Sequence, residues 1–457
     1  MVLLKNKDDF RWIFKIGLLI AICWLPFFLA FYPGLGMNDE ISAMQKPFEL
    51  TNQPIMYNLF LSLFYNAGLH LFDDFFIGTA AATIFQMLLM ALSIAYVLRW
   101  LLNKGLDRKV VLIYGLYYTF FPIIIDYALA LVKDKAFSVA IMLLVPITYE
   151  LAKDKFSNCS WQRLNGFMLI CLVMMWTRNN GAYLFMGFCA CVIFIMHGNR
   201  KQFLKIAIPV LVLGMLPSLM MGKNFTEGLG IPLQQMSRVV ALDRPIGEQD
   251  KEFLNRMMPL EMIKKYYNPH NVDRIKWNYA YDRKFTDSHK KDFFITWWNL
   301  FKQYPKDYFK AWLLTTQGFW WQVDWQEYGA WQSKFGKAYA LDIYLAEDKQ
   351  TLDNGFGVTS FPTMPEWLKV KLGIYVWKYS FFPMGGICMW FTLLIAMLMC
   401  IRKQSHLLIV LAPALLCSLT LILASPIAHA LRYVFYYVLC LPLFFILSRI
   451  DMLDNNK

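Results

Sequence analysis

Several short stretches of the chain place ionisable side chains beside long apolar runs. "NDEIS" sets Asp39 and Glu40 just after the first of these runs, and "LVKDKAF" holds Lys133 and Asp134 between two others. "WTRNNGAY" carries Arg178, "IPLQQMSRVV" carries Gln234, Gln235 and Arg238, and "SPIAHALRYVFYY" carries His429 and Arg432. Charges at membrane depth are costly and tend to mark function. A carboxylate at the mouth of an apolar cavity can serve as a general base on a hydroxyl group. Adjacent side chains seldom point the same way, so Asp39 is the expected base and Glu40 its helper. Asp134 is assigned a second acidic role. Arginine forks grip phosphate, and Arg178, Arg238 and Arg432 are candidates for that task, with Lys133 and His429 beside them. An ordinary charged turn or a snorkelling arginine is the competing account of each stretch taken alone.

Taken together, acids and cations facing one cavity suit a substrate with a phosphate head and a lipid tail, such as a polyprenyl-phosphate sugar. The cations would hold the phosphate and stabilise the charge it gains on leaving, while the carboxylate deprotonates the acceptor. No phosphate-binding ATP loop, zinc spacing or nucleophile elbow competes. Asp39, Glu40 and Asp134 leave room for a hard divalent cation, and no other cofactor is implied. Trp320, Trp321 and Trp325 lie in an aromatic stretch that suits the membrane interface, where one end of the ring system is apolar and the other wet. The same rings could form a platform for a sugar or lipid.

These groups need a scaffold, and the composition says which kind. The chain has 457 residues, 58% hydrophobic and 17% charged, with mean hydropathy +0.39. The expected class is an all-α polytopic membrane protein with about ten transmembrane helices. The expected spans are 13–31, 75–98, 110–125, 136–151, 166–177, 183–197, 204–221, 382–401, 407–424 and 433–447. The first reads as a retained anchor rather than a cleaved signal. Three regions follow: an N-terminal membrane module (1–221), a largely helical external segment (222–381) and a C-terminal membrane module (382–457). Lys and Arg alternate between loops. That puts Arg99, Lys104, Arg163, Lys201 and Arg402 on the cytoplasmic side with both termini, and the candidate site on the outer face. The net charge of +13 comes largely from these anchoring residues, so no nucleic-acid partner is expected. The nine cysteines avoid the external segment, which is therefore not a disulfide scaffold. A bacterial inner membrane fits this pattern.

The motifs "NDEIS", "QPIMYNLFLSLF", "KDKAFSVAIML", "RNNGAYLF", "IPLQQMSRVV", "YPKDYFKAWLL" and "SPIAHALRYVFYY" occur in that order. They resemble a family of bacterial polytopic membrane proteins similar in layout to the GT-C superfamily of glycosyltransferases. The resemblance covers most of the chain. It implies a polyprenyl-phosphate sugar donor, an envelope glycan or lipid-linked acceptor, an outer-face active site, and an acid of the first external loop, here Asp39, as base or metal ligand. Lys133, Asp134, Arg178, Arg238 and Arg432 stand at matching motif positions. This chain departs from the pattern at Gln53, where His precedes the proline, and at Glu40, where a small polar residue is usual. An O-antigen-type polymerase and a lipid or polysaccharide transporter are the alternatives.

Overall fold

The computed structural model describes residues 7–35, 38–48, 54–153, 161–195, 200–219, 225–323, 364–378 and 383–455. Among these residues every regular element is helical, apart from two isolated bridges, Leu35 with Ala130 and Asn271 with Ile427. The N-terminal part comprises α1 (Lys7–Ala30), α2 (Asn38–Gln45), α3 (Ile55–Phe72), α4 (Phe75–Asn103), α5 (Arg108–Phe120), α6 (Pro122–Leu129), α7 (Lys133–Lys153), α8 (Trp161–Thr177), α9 (Gly181–Ile195) and α10 (Arg200–Leu219). The middle segment, expected from the sequence to be external, holds α11 (Gly230–Ala241), α12 (Glu248–Met257), α13 (Leu260–Tyr266), α14 (Asp273–Lys276), α15 (Arg283–Ser288), α16 (Lys290–Gln303), α17 (Pro305–Thr315), α18 (Gln317–Trp320) and α19 (Glu366–Lys378). The chain closes with α20 (Gly385–Ile401), α21 (Leu408–Ala424) and α22 (Leu431–Asn455).

Among the described residues six helical stretches are long and apolar enough to cross a membrane: 7–30, 55–72, 75–103, 133–153, 405–424 and 431–454. The pair α5 and α6, bent by 53°, makes a seventh if counted as one span. This supports a helical membrane protein, without fixing the number of spans at the expected ten. The stretches expected at 166–177, 183–197 and 382–401 are apolar helices of fewer than 18 residues. The expected span 110–125 is interrupted at Phe121, because Pro122 opens a new helix and the residue before a proline is pushed to extended backbone. α10, expected to span, begins with Arg200, Lys201 and Lys205 and is absent from the long apolar set. One span was not expected, α3. Its Asn58, Ser62, Asn66 and His70 recur at every fourth residue and dilute the local hydropathy, yet they fall on a single helical stripe. Asn58 and Ser62 are buried there, and the Asn66 amide donates to the Ser62 carbonyl and hydroxyl. α3 packs closely on α4 because Gly68 and Gly78 meet backbone to backbone.

Ion pairs mark one end of the bundle. Arg99 at the end of α4 lies 2.6 Å from Asp9 at the start of α1. Lys104 reaches Glu150 of α7 at 2.7 Å and Asp454 of α22 at 2.9 Å, and Lys153 reaches Asp454 at 2.7 Å. The start of α1 and the ends of α4, α7 and α22 thus share one face. The starts of α7 and α22 and the end of α8 lie at the opposite end.

The middle segment has a core of its own, with Leu233, Met236, Leu254, Ile263, Phe293 and Leu300 buried together. It sits on the connection between α21 and α22. Val272 N–H donates to the Pro426 carbonyl (3.0 Å), Ala428 N–H to His270 (2.8 Å) and Gly318 N–H to Ala428 (2.8 Å). The Trp312 indole adds a bond to the Ile422 carbonyl near the end of α21 (2.9 Å).

Candidate functional site

α6 ends at Leu129, and the chain then runs extended for a few buried residues. Leu35 N–H donates to Leu129 and Leu131 N–H donates to Leu35, which stitches this stretch to the end of α1. α7 begins immediately after, with Lys133 and Asp134 in its first turn. An acid is favoured there by the partial positive charge of the helix N-terminus. Arg178 follows the last residue of α8, where a cation is favoured for the mirror-image reason. The two meet: Arg178 Nη1 lies 3.1 Å from Asp134 Oδ1, with side chains 11% and 2% exposed. Those two atoms attract as charges without hydrogen-bond alignment. The guanidinium also lies over the rings of Phe137 (5.2 Å) and Tyr433 (4.9 Å).

Arg432 is held over the same Tyr433 ring from its own helix, at 5.0 Å, and donates to the Tyr433 hydroxyl at 3.3 Å. Two guanidinium groups from helices far apart in sequence therefore share one aromatic ring. Tyr127 of α6, stacked on Phe435 at 3.8 Å, feels the charges of Asp134, Arg178 and Arg432 together. The loop that delivers Arg432 is clamped by the middle segment through the main-chain bonds of Ala428 and Pro426. His429 in that loop is buried against Phe319. Burial pushes its imidazole down to about 4, so at neutral pH it is an uncharged hydrogen-bonding group and not the cation expected from the sequence.

The acids of the first loop lie nearby in part. Glu40 on α2 is buried, and both Glu40 and Asp134 act electrostatically on Tyr57 of α3. Tyr57 donates to the Leu131 carbonyl at 2.8 Å, two residues before α7. Asp39 belongs to the backbone of α2, but its side chain lies outside the described residues, as do Gln53 and Trp325. Among the described residues no group of three or more His, Cys, Asp or Glu side chains is placed to hold a metal ion.

Other candidates have different surroundings. Arg238 is committed inside the middle segment, with Tyr267 Oη at 3.3 Å and Asp307 at 3.8 Å, and Gln234 donates to the Asn268 carbonyl at 2.6 Å. The Trp320 indole donates to Leu313, while its carbonyl accepts from the Trp390 indole at 2.8 Å. Both bonds fasten the middle segment to itself and to α20, which makes Trp320 an anchor. Trp321 is exposed, with its backbone pressed against Gly386. Lys133 is partly buried at the start of α7.

Sequence reasoning passed over Tyr433, Tyr57, Lys135 and Asp273. Lys135 is fully buried and donates to the Ala128 carbonyl at 3.2 Å, closing the end of α6. Asp273 opens α14 within electrostatic reach of Arg432. The only sequence signal for Tyr433 was its place next to Arg432. Asp273 gave none, because a loop acid in a polar segment is ordinary.

A protein family described as a family of unknown function (DUF6020) matches residues 44–453. The chain belongs to the DUF6020 family. The matched stretch contains Asp134, Arg178, His429 and Arg432 and begins after Glu40. No curated protein and no solved structure matches this DUF6020 chain.

Proposed function

We propose that this DUF6020 protein is an integral membrane glycosyltransferase of GT-C type. It moves a sugar from a polyprenyl-phosphate donor to an envelope glycan or lipid-linked acceptor on the outer face of a bacterial inner membrane. The observation that carries the reading is the pair of guanidinium groups, Arg178 and Arg432, over one Tyr433 ring beside the buried Asp134. Two planar forks converging at the end of a helical bundle suit a phosphate whose lipid tail runs between helices. In the reaction the acceptor oxygen bonds to the anomeric carbon, and the carbon–oxygen bond to phosphate breaks with its electron pair going to phosphate. Arg178 and Arg432 stabilise that charge. Asp39 takes the acceptor proton. Asp134 keeps Arg178 in place until the donor arrives.

The test uses membranes containing the protein and a radiolabelled polyprenyl-phosphate hexose. Label should move to a membrane acceptor, and Arg178→Gln should slow transfer by roughly 10²–10³-fold. Asp39→Asn should abolish transfer at unchanged protein level. Joining of lipid-linked oligosaccharides without use of the monosaccharide donor would replace this reading with a polymerase, and translocation of intact donor without chemistry would replace it with a transporter.

A further inference from the structure

The turn between α8 and α9 carries a second polar side chain beside Arg178. Gly181 N–H donates to the Arg178 main-chain carbonyl at 2.9 Å, and Leu184 N–H donates to the Asn180 main-chain carbonyl at 3.0 Å. Gly181 also seats the turn on α8, because its backbone presses against the Met174 carbonyl, where no β-carbon fits. Arg178 and Asn180 are thus held in one fixed turn. The Asn180 side chain crosses to α21 and donates its amide to Thr420 Oγ1 at 3.0 Å. Thr420 donates its own proton to the Cys417 carbonyl at 2.8 Å, so toward Asn180 it acts only as an acceptor. That decides which way the amide points. Asn180 Oδ1 is then left buried and without a hydrogen-bond partner, as are Arg178 Nη1 and Asp134 Oδ1, which face each other at 3.1 Å. Buried acceptors without a donor are uncommon and call for a reason. Asn180 as a whole is only partly buried, and Asn179 beside it is exposed, so the turn borders accessible space.

We propose that Asn180 is a substrate-binding residue whose Oδ1 accepts a hydrogen bond from a hydroxyl of the donor sugar. This role rests on the reading of Arg178 as a phosphate ligand. The three atoms define the ligand by what each lacks. Arg178 Nη1 is a donor and takes a phosphate oxygen. Asn180 Oδ1 and Asp134 Oδ1 are acceptors and take a hydroxyl. An ionised phosphate only accepts, so a bare lipid phosphate satisfies Arg178 and leaves Asn180 unpaired. A sugar on that phosphate brings hydroxyl groups a few bonds away, within reach of an acceptor in the same turn. The donor reaches these atoms by parting Arg178 from Asp134. Asn180 thereby distinguishes the loaded lipid from the spent one. A site that pairs with a hydroxyl disfavours the ligand that lacks it. Bare polyprenyl phosphate, the product of transfer, loses this bond and leaves more readily.

Binding of a polyprenyl-phosphate hexose, and separately of bare polyprenyl phosphate, is measured on the full-length protein in lipid nanodiscs with no acceptor present. The unsubstituted protein should bind the loaded lipid more tightly. Asn180→Ala should weaken that binding roughly tenfold, about the contribution of one hydrogen bond, and leave binding of the bare lipid unchanged. Thr420→Val breaks the same contact between the turn and α21 but keeps the Asn180 oxygen, so it should retain most of the preference. Equal weakening of both probes by Asn180→Ala, an unchanged preference, or the same loss of preference in Thr420→Val overturns the proposal. Arg178→Gln should weaken both probes and separates the two readings. If it does so while Asn180→Ala leaves the preference intact, only the role of Asn180 fails. If neither lipid binds the unsubstituted protein, or Arg178→Gln changes neither, the glycosyltransferase reading fails and the role of Asn180 fails with it.

Discussion

The pair Asp134 and Arg178 predicts an asymmetry between two single substitutions. At 3.1 Å and an effective dielectric of about 20, the gross attraction is about 5 kcal/mol. Part of it offsets the cost of removing both charges from water, so the useful quantity is what happens when one partner is lost. Arg178→Gln leaves a carboxylate 2% exposed with its neutralising cation gone, and about 3–5 kcal/mol of stability should go with it. Asp134→Asn leaves a guanidinium that is 11% exposed and still rests over Phe137 and Tyr433. Each of those ring contacts contributes about 0.5–2 kcal/mol, so the loss should be smaller, about 1–2 kcal/mol. The double variant should be more stable than Arg178→Gln alone, because the stranded charge is gone. Melting of detergent-solubilised protein, followed by tryptophan fluorescence, should show Arg178→Gln lowered by roughly 5–10 °C and the other variants by less. Equal shifts for the two single variants, or additive losses in the double, would refute the argument that these charges neutralise each other in a dry site.

Two further outcomes follow from the packing. His429 has its pKa pushed by burial from 6.5 to about 4, so the unfolded chain takes up its proton first as pH falls. Stability should be fully present above pH 6.5 and decline between there and about pH 4, by up to about 3 kcal/mol, and His429→Gln should remove that part of the slope in melting curves recorded against pH. Gly78→Leu should separate α3 from α4, because a β-carbon at Gly78 collides with the Phe64 backbone carbonyl, which has no flexible end to move. A loss of about 3 kcal/mol is expected, read as a lowered melting temperature, whereas Gly115→Ala, whose new carbon meets only Leu98 at 3.7 Å, should leave it nearly unchanged.

Hydropathy and charge were enough to establish a helical membrane protein, because lipid forces every backbone group into an internal hydrogen bond and leaves a long apolar signature. The same signal does not by itself settle which apolar stretches form long continuous helices. It averages along the chain and does not see that the polar residues of α3 occupy one stripe, or that Pro122 breaks a run of otherwise uniform hydropathy. Ionisable residue types beside apolar runs were also legible, and Asp134, Arg178 and Arg432 were singled out from type and position alone. Their meeting around Tyr433 was not legible, since it depends on the starts of α7 and α22 and the end of α8 lying at one level of the bundle. Tertiary structure also separated residues that looked alike in sequence. Arg238 is tied to Asp307 inside the middle segment, and burial holds His429 uncharged. Asp273, unremarkable in its own segment, comes within electrostatic reach of Arg432 because two stretches far apart in sequence pair at the seam. A linear sequence records which charges must be accommodated near a membrane, whereas the fold decides which of them share an environment, because pairing and burial depend on distances that the sequence does not contain.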